Sequence, residues 1–311
     1  MVPVLKFLTQ QHHVKVLLVA PEVVAPLFKE LKNVKIIPIS KGLKLPKLVE
    51  LVRFSNKLQK ESFDYIADCH DVIRSKLLRL ILSPRGNKVA IIDKGRKEKK
   101  TLTSYPKKDF YPIKATFQRY ADVFNSLGFP ISVEIPPFIT STNRSQNDKK
   151  KIGIAPFSQH AGKSYPLELM QHVVGKLNKK NFEILLFGAP NETKLLDSWS
   201  QKFNIINTSS CSLDKQLDLI SGLDLMVSMD SANGHMAANY GVKVLTIWGM
   251  THPFLGFKPI GQPDKHQILL DRTVYPKVPT SVFGKKLPIE YKNAMHSISP
   301  DMIIYRINQI L

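Results

Sequence analysis

Short apolar runs alternate with amphipathic stretches along the whole chain, and this alternation constrains the fold more than any other feature. Val14–Val19, Val34–Ile39, Asp64–Cys69 and Lys88–Ile92 read as buried strands. Between and after them, Glu22–Leu31, Val72–Leu82 and Phe117–Leu127 have helical spacing. Ser141–Lys150 carries no apolar residue and reads as a linker. The pattern then restarts with strand Lys151–Ala155, helix Pro166–Leu177, strand Phe182–Phe187, a helix around Glu192–Phe203 and strand Asn204–Asn207. Helix Leu213–Ser221, strand Leu223–Ser228, helix Ser231–Tyr240 and strand Lys243–Trp248 follow. Ser299-Pro300 opens a last helix that runs to Leu311. Strands alternating with helices predict parallel sheets covered by helices on both faces. The expected organisation is two Rossmann-like α/β units, 1–140 and 150–298, with a C-terminal helix over 299–311, and ligand held at the carboxyl ends of the strands in the cleft between the units.

A length of 311 residues favours two domains over one. No window approaches the run of ~18 apolar residues that a membrane span needs, and the opening Met1–Lys6 is charged too soon for a signal peptide. Two cysteines, Cys69 and Cys211, exclude a disulfide framework and favour a reducing cytosol. There is no Walker A loop, Gly-x-Gly-x-x-Gly or zinc-spaced Cys/His set. The 45 basic and 25 acidic side chains are unevenly placed: residues 1–150 hold 28 and 13 of them. Such a first half either meets an anionic partner or uses lysine as a solubiliser. For the basic run Arg96–Lys100, near Arg85 and Lys88, the alternatives are a solvated face and an anionic membrane or phosphorylated lipid. Nucleic acid is disfavoured, because no basic motif is interleaved with aromatics.

Three stretches leave strand ends of the second unit. Asp230-Ser231-Ala232-Asn233-Gly234-His235 turns from a strand into a helix, whose first N–H groups suit a phosphate; simple capping by Asp230 or Ser231 is the alternative. Ser158, Gln159, Gly162 and Lys163 leave the first strand of the unit, with Lys163 as a point charge for an anion or as a solvated surface lysine. Trp248-Gly249-Met250-Thr251-His252-Pro253 leaves another. Phe187 and Gly188 stand at a further strand end. In the first unit, Asp68-Cys69-His70-Asp71 cannot bring all four side chains to one metal, since alternate residues of a strand face opposite sides. The expectation there is a strand end facing the cleft.

These residues resemble glycosyltransferase family 9, the heptosyltransferases of lipopolysaccharide synthesis. The resemblance rests on Asp230-Ser231-Ala232-x-x-His235-x-Ala237-Ala238, on Lys163-Ser164-Tyr165-Pro166 and on Trp248-Gly249-Met250-Thr251-His252-Pro253. It extends to Asp93–Lys100 and Arg119-Tyr120-Ala121. It implies a GT-B fold and an inverting transfer without a metal. The donor would be a nucleotide sugar, ADP-heptose, used as substrate rather than cofactor, in a pocket of Phe187, Gly188, Trp248, Gly249, Thr251 and His252. The acceptor would be a lipid-anchored saccharide at the cytoplasmic face of the inner membrane, touched by Asp71 and Arg74. The family's phosphate-binding positions fall on Lys163, Asp230, Ser231 and His235, with Ser158, Asn233 and Gly234 beside them; Ala232 replaces a glycine of the family pattern. The region Val278–Lys286 has no cysteine, where relatives tend to carry them.

The resemblance also implies an opening strand whose turn bears a Gly-Asp pair, the Asp serving as general base. Here the chain opens in helical spacing (Val4, Leu5, Phe7, Leu8) and passes at once to Val14–Val19, so the expectation is a unit without that strand, with Asp68 or Asp71 as substitute base. A nucleotide-sugar epimerase of the same fold and a non-catalytic module binding sugar nucleotides or anionic lipid are the rival readings.

Overall fold

The computed structural model describes residues 1–39, 48–83, 86–106, 109–133, 135, 138, 149–180 and 182–311. Of the expected linker Ser141–Lys150, Ser141–Asp148 lie outside them, as does Arg85. The chain divides into two compact units, Met1–Lys94 with Lys114–Glu134, and Gly95–Ile113 with Ile135–Leu311. The arm Gly95–Ile113, between two pieces of the first unit, thus groups with the second.

The first unit runs α1 (Val2–His12), β1 (Val16–Ala20), a 3-10 turn (Glu22–Phe28), β2 (Val34–Pro38), α2 (Leu48–Gln59), β3 (Tyr65–Asp68), α3 (Ile73–Leu82) and β4 (Lys88–Ile91). The arm then carries α4 (Arg96–Thr103), and α5 (Thr116–Ser126) returns to the first unit. Glu22–Leu31, expected as an α-helix, winds as 3-10 because Pro21 precedes it and Pro26 lies inside it, where an α-helix would lose a donor and meet the pyrrolidine ring. β1 pairs with β2, and β3 with β4, each in parallel. Among the described residues the two pairs are separate sheets. Helices join them instead: Val16 and Leu18 of β1, and Ala67 with the following Cys69, pack with Val4, Leu5 and Leu8 of α1 and with Ala121 and Phe124 of α5.

The second unit holds one parallel sheet of six strands. Its elements are β5 (Lys150–Ala155), α6 (Leu167–Asn178), β6 (Phe182–Leu186), α7 (Thr193–Phe203), β7 (Ile206–Asn207), α8 (Leu213–Ser221), β8 (Leu225–Met229), α9 (Ala232–Asn239), β9 (Lys243–Ile247), β10 (Gln267–Ile268) and α10 (Pro300–Ile310). The order across the sheet is β10-β9-β8-β5-β6-β7. The chain builds outward from β5 to β7, returns to the other side of β5 as β8, and builds outward again. The strands β5 and β8 therefore flank the switch point, in register from Ile152↔Leu225 to Ala155↔Ser228. All five residues of β8 are buried, as expected of a central strand covered on both faces. Pro300 occupies the first turn of α10, and Ser299 accepts a hydrogen bond from the Met302 amide.

The arm is held by aromatic contacts within its unit. Leu102 and Ile113 share a cluster with Leu255, and the Ile113 amide donates to the Phe254 carbonyl at 3.1 Å. The Arg272 guanidinium lies 3.3 Å from the centroid of the Phe110 ring, and the Lys99 ammonium 4.4 Å from that of Phe257. The basic run Arg96–Lys100 is thus a helical segment, with Lys99 buried and Arg96, Lys97 and Lys100 exposed.

Candidate functional site

A doubly wound sheet leaves a crevice where neighbouring strands send their chains in opposite directions, and ligands bind beyond the strands' carboxyl ends there. In the second unit that place is the end of β5 and β8. Two of the three stretches singled out in the sequence begin there. The third follows β9, the neighbour of β8.

The loop after β5 turns through a short 3-10 segment, Ala161–Lys163. Ser158 holds it by donating to the His160 carbonyl at 3.0 Å and meeting the Ser164 hydroxyl at 2.9 Å. The Lys163 ammonium reaches Oδ2 of Asp230, just beyond β8, at 2.8 Å; the two side chains are 15% and 6% exposed. The Thr251 hydroxyl, from the loop after β9, donates to the same oxygen at 2.9 Å. One carboxylate thus ties three strand-end loops together.

Glycines permit this proximity. A side chain on Gly249 would collide with the Gly162 carbonyl, and one on Gly162 would come within 2.5 Å of the Gly284 carbonyl oxygen. Gly284 has φ +73, a conformation that disfavours other residues, and any Cβ there would strike the methylene stem of Lys163. The Met250 amide donates to the Gly162 carbonyl, and the Thr280 amide to the Met250 carbonyl at 3.0 Å. Gly284 thus fixes the lysine stem from a segment whose sequence reading was confined to its missing cysteines. A glycine between Phe283 and Lys285 offers no signal of that role.

α9 begins directly after Asp230. Its N-cap, Ser231, is extended and its side chain caps no helix amide. The Ser231 hydroxyl is buried and has no hydrogen-bond partner. Simple capping, the alternative read from the sequence, is therefore not what this side chain does. The first amides of α9 carry the positive end of the helix dipole, beside the Lys163–Asp230 pair. Asn233 is half-buried and His235 exposed on the first turn. Gly234 has a packing role: a Cβ there would lie 2.6 Å from the Ser228 hydroxyl and 3.2 Å from Val244. Ala237 and Ala238, both buried, continue that close approach of helix to sheet.

The residues expected to line a donor pocket separate into two groups. Thr251 and Gly249 belong to the loop junction just described, and Gly188 is half-buried at the end of β6. Phe187 and Trp248 are fully buried, and the Trp248 indole N–H donates to Gln267 Oε1 at 2.8 Å. Those two rings fill the core and present no surface to a donor. His252 is buried as well; its Nδ1 accepts from the Phe254 amide at 3.2 Å, and its ring packs edge-on against Phe110 and Phe254. It caps the turn Pro253–Leu255 instead of facing a ligand.

In the first unit, Asp68 ends β3 and organises the turn after it. Its Oδ1 accepts the amides of His70 (3.0 Å) and Asp71 (2.7 Å), and its Oδ2 pairs with Arg79 at 2.7 Å. A buried carboxylate so fully engaged is a structural hub, not a spare base. Asp71 has φ +40, and its carboxylate lies 3.6 Å from the Lys76 ammonium. Arg74 is half-buried in the first turn of α3. The His70 pKa is lowered, chiefly by burial, with the charges of Lys94 and Arg74 adding to the effect. Burial pushes the Cys69 thiol up to about 12, which leaves it a protonated core residue.

Comparison with known proteins places the fold and the family. No curated protein matches the chain in sequence. The whole chain is similar in fold to the E. coli heptosyltransferase WaaC with ADP, at 20% identity and a TM-score of 0.67, covering 100% of this chain and 95% of that one. E. coli ADP-heptose lps heptosyltransferase II is similar at 16% identity and TM-score 0.67, covering 99% and 94%. A family 9 glycosyltransferase from Veillonella parvula gives 16% and 0.70, covering 99% and 92%. The sequence model of glycosyltransferase family 9 (heptosyltransferase) matches residues 51–286, most of the chain. The chain belongs to glycosyltransferase family 9, the heptosyltransferase family.

Proposed function

We propose that this protein transfers heptose from ADP-heptose onto a lipid-anchored saccharide of the lipopolysaccharide-core type, with inversion and without a metal. The observation that carries the reading is the meeting of Lys163, Asp230 and the start of α9 at the switch point of the six-stranded sheet. A WaaC structure with ADP-2-deoxy-2-fluoro heptose is among the similar folds, which supports the choice of donor.

The acceptor hydroxyl oxygen attacks the anomeric carbon from the face opposite the diphosphate. The bond from that carbon to the phosphate oxygen breaks, and its electron pair leaves with ADP. The growing negative charge needs fixed positive partners. Lys163 supplies one, and the first amides of α9 with the Ser231 hydroxyl supply donors. Asp230, itself anchored by Thr251, keeps the ammonium in place. The hydroxyl proton passes to a carboxylate of the first unit, and Asp71 is the residue assigned to it. The acceptor brings the enzyme to the cytoplasmic surface of a membrane, where basic residues of the first unit rest on anionic lipid. Among the described residues no helix is long and apolar enough to cross a membrane.

The test is incubation with ADP-heptose and a delipidated core oligosaccharide, read by mass spectrometry for the heptosylated product and by NMR for its anomeric configuration. Inverted product with release of ADP supports the reading. Free sugar nucleotide altered without an acceptor would instead identify an epimerase, and binding without turnover a non-catalytic module.

A further inference from the structure

A helix on a protein surface ordinarily turns its apolar stripe inward and its charges outward. The α3 helix does not. Its inner side carries Leu82, buried with Ile37 and Leu58. Its outer side carries Ile73 and Leu80, 61% and 68% exposed and two turns apart, with the exposed Lys76 between them. The helix also bears Arg74 and Arg79 and no acidic residue. Arg79 is committed to Asp68. The neighbouring α2 packs against α3 and exposes Val52, Arg53, Asn56 and Lys57. Residues 1–94 together contain 17 Lys and Arg against 8 Asp and Glu. Lys76 lies 3.6 Å from Asp71 and stays half exposed, whereas Asp68 is taken up by Arg79.

We infer that the outer face of α3, with Ile73 and Leu80 as apolar contacts and Lys76 as a cationic one, and with the basic α2 packed beside it, is the surface by which the protein rests on an anionic bilayer. The inference builds on the lipid-anchored acceptor proposed above and locates the docking face. Two aliphatic side chains one above the other form a ridge far smaller than the ~800 Å² per partner that a stable protein interface buries. A bilayer interface requires only that apolar groups enter among the headgroups while cations remain at their level. Position supports the same occupant: Ile73 stands two residues beyond Asp71, so lipid beneath α3 delivers a membrane-anchored saccharide to the end of the helix where the acceptor-side residues lie.

The experiment uses the full chain and sedimentation with phosphatidylcholine vesicles, with and without phosphatidylglycerol. Wild-type protein should bind the phosphatidylglycerol vesicles and not the neutral ones. The pair Ile73→Ser with Leu80→Ser, and separately Lys76→Glu, should each weaken that binding by about tenfold or more. ADP affinity, which resides in the second unit, should be unchanged and reports on folding. A Leu80→Trp variant keeps the ridge apolar, and its emission should shift to the blue on phosphatidylglycerol vesicles. Vesicle binding that survives the substitutions, binding to neutral vesicles alike, or unshifted tryptophan emission would overturn the inference. A blue shift that tracks protein concentration without vesicles would also overturn it, by showing a second copy on the ridge. Turnover of a delipidated acceptor tests the transferase reading separately, because that substrate needs no bilayer.

Discussion

The Lys163 ammonium and the Asp230 carboxylate, 2.8 Å apart and both largely buried, join the loop after β5 to the start of α9. In the proposed reaction, a diphosphate arriving there would meet an ammonium already held in place by Asp230. Replacing Lys163 with Ala should weaken ADP binding by about 10–150-fold, the equivalent of a ~1.5–3 kcal/mol charged hydrogen bond. Isothermal titration calorimetry checks this, and undiminished ADP affinity would remove Lys163 from the donor site.

Asp230→Ala should act differently from Lys163→Ala. It strips a buried ammonium of its counter-charge and leaves the Thr251 hydroxyl without its acceptor. Removing either partner of a buried pair costs about 3–5 kcal/mol, and only Asp230→Ala also strands the Thr251 hydroxyl. Thermal unfolding should therefore show a larger loss for Asp230→Ala than for Lys163→Ala. Equal losses would mean that the Thr251 hydrogen bond adds nothing to the stability of the pair.

Gly284→Ala places a Cβ on the Lys163 stem at a positive φ. The left-handed conformation alone costs about 1–2 kcal/mol for an L side chain, and the collision adds to it. ADP affinity and the unfolding midpoint should fall together. A change in stability with intact ADP affinity would show that the lysine finds its position without the glycine.

Trp248→Phe should leave ADP affinity unchanged while lowering stability, because the lost indole N–H strands the buried Gln267 Oε1 at about 1–3 kcal/mol. A marked loss of ADP binding would return Trp248 to the donor pocket.

His266 predicts a pH dependence. It is buried, and its pKa is lowered from 6.5 to about 4, first by burial and then by the charges of Lys265, Lys243 and Arg306. Between those two values the unfolded chain binds a proton that the folded chain rejects, so stability rises with pH across the window and falls as the pH drops from 6.5 toward 4. His266→Gln should flatten that slope, measured as unfolding midpoints across the same range. An unchanged slope would place the titration elsewhere.

Much of the second unit is legible in the residues. The ends of β5 and β8 announce themselves as apolar runs giving way to Ser158–Lys163 and to Asp230–Ser231, and strand alternation alone places both at a ligand-binding edge. Side-chain direction at those ends is not legible: Phe187 and Trp248 follow strands just as pocket residues would, and only the packing reveals them as core. The arm Gly95–Ile113 is also hidden, because Phe110 acquires meaning only from Arg272, more than a hundred residues later. Similarly, Gly284 reads as an ordinary turn glycine until the Lys163 stem is seen beside it. The Glu22–Phe28 segment misleads for a local reason, since its apolar spacing is helical while Pro21 and Pro26 dictate a tighter turn.

The division of the first unit's strands into two separate pairs has a dynamic consequence. In the six-stranded sheet, β5 and β8 can exchange their amide protons only when ladders on both sides break, so their exchange reports opening of the whole unit. Among the described residues of the first unit β1 and β3 each have a single ladder, and a two-stranded ribbon is marginal by itself. Hydrophobic contact through α1 and α5 connects the ribbons. Such a connection resists separation but specifies alignment weakly, so each ribbon can open without the other. Proton exchange should therefore proceed in two steps along the chain, with β1–β2 and β3–β4 opening well before the strands that carry Lys163 and Asp230.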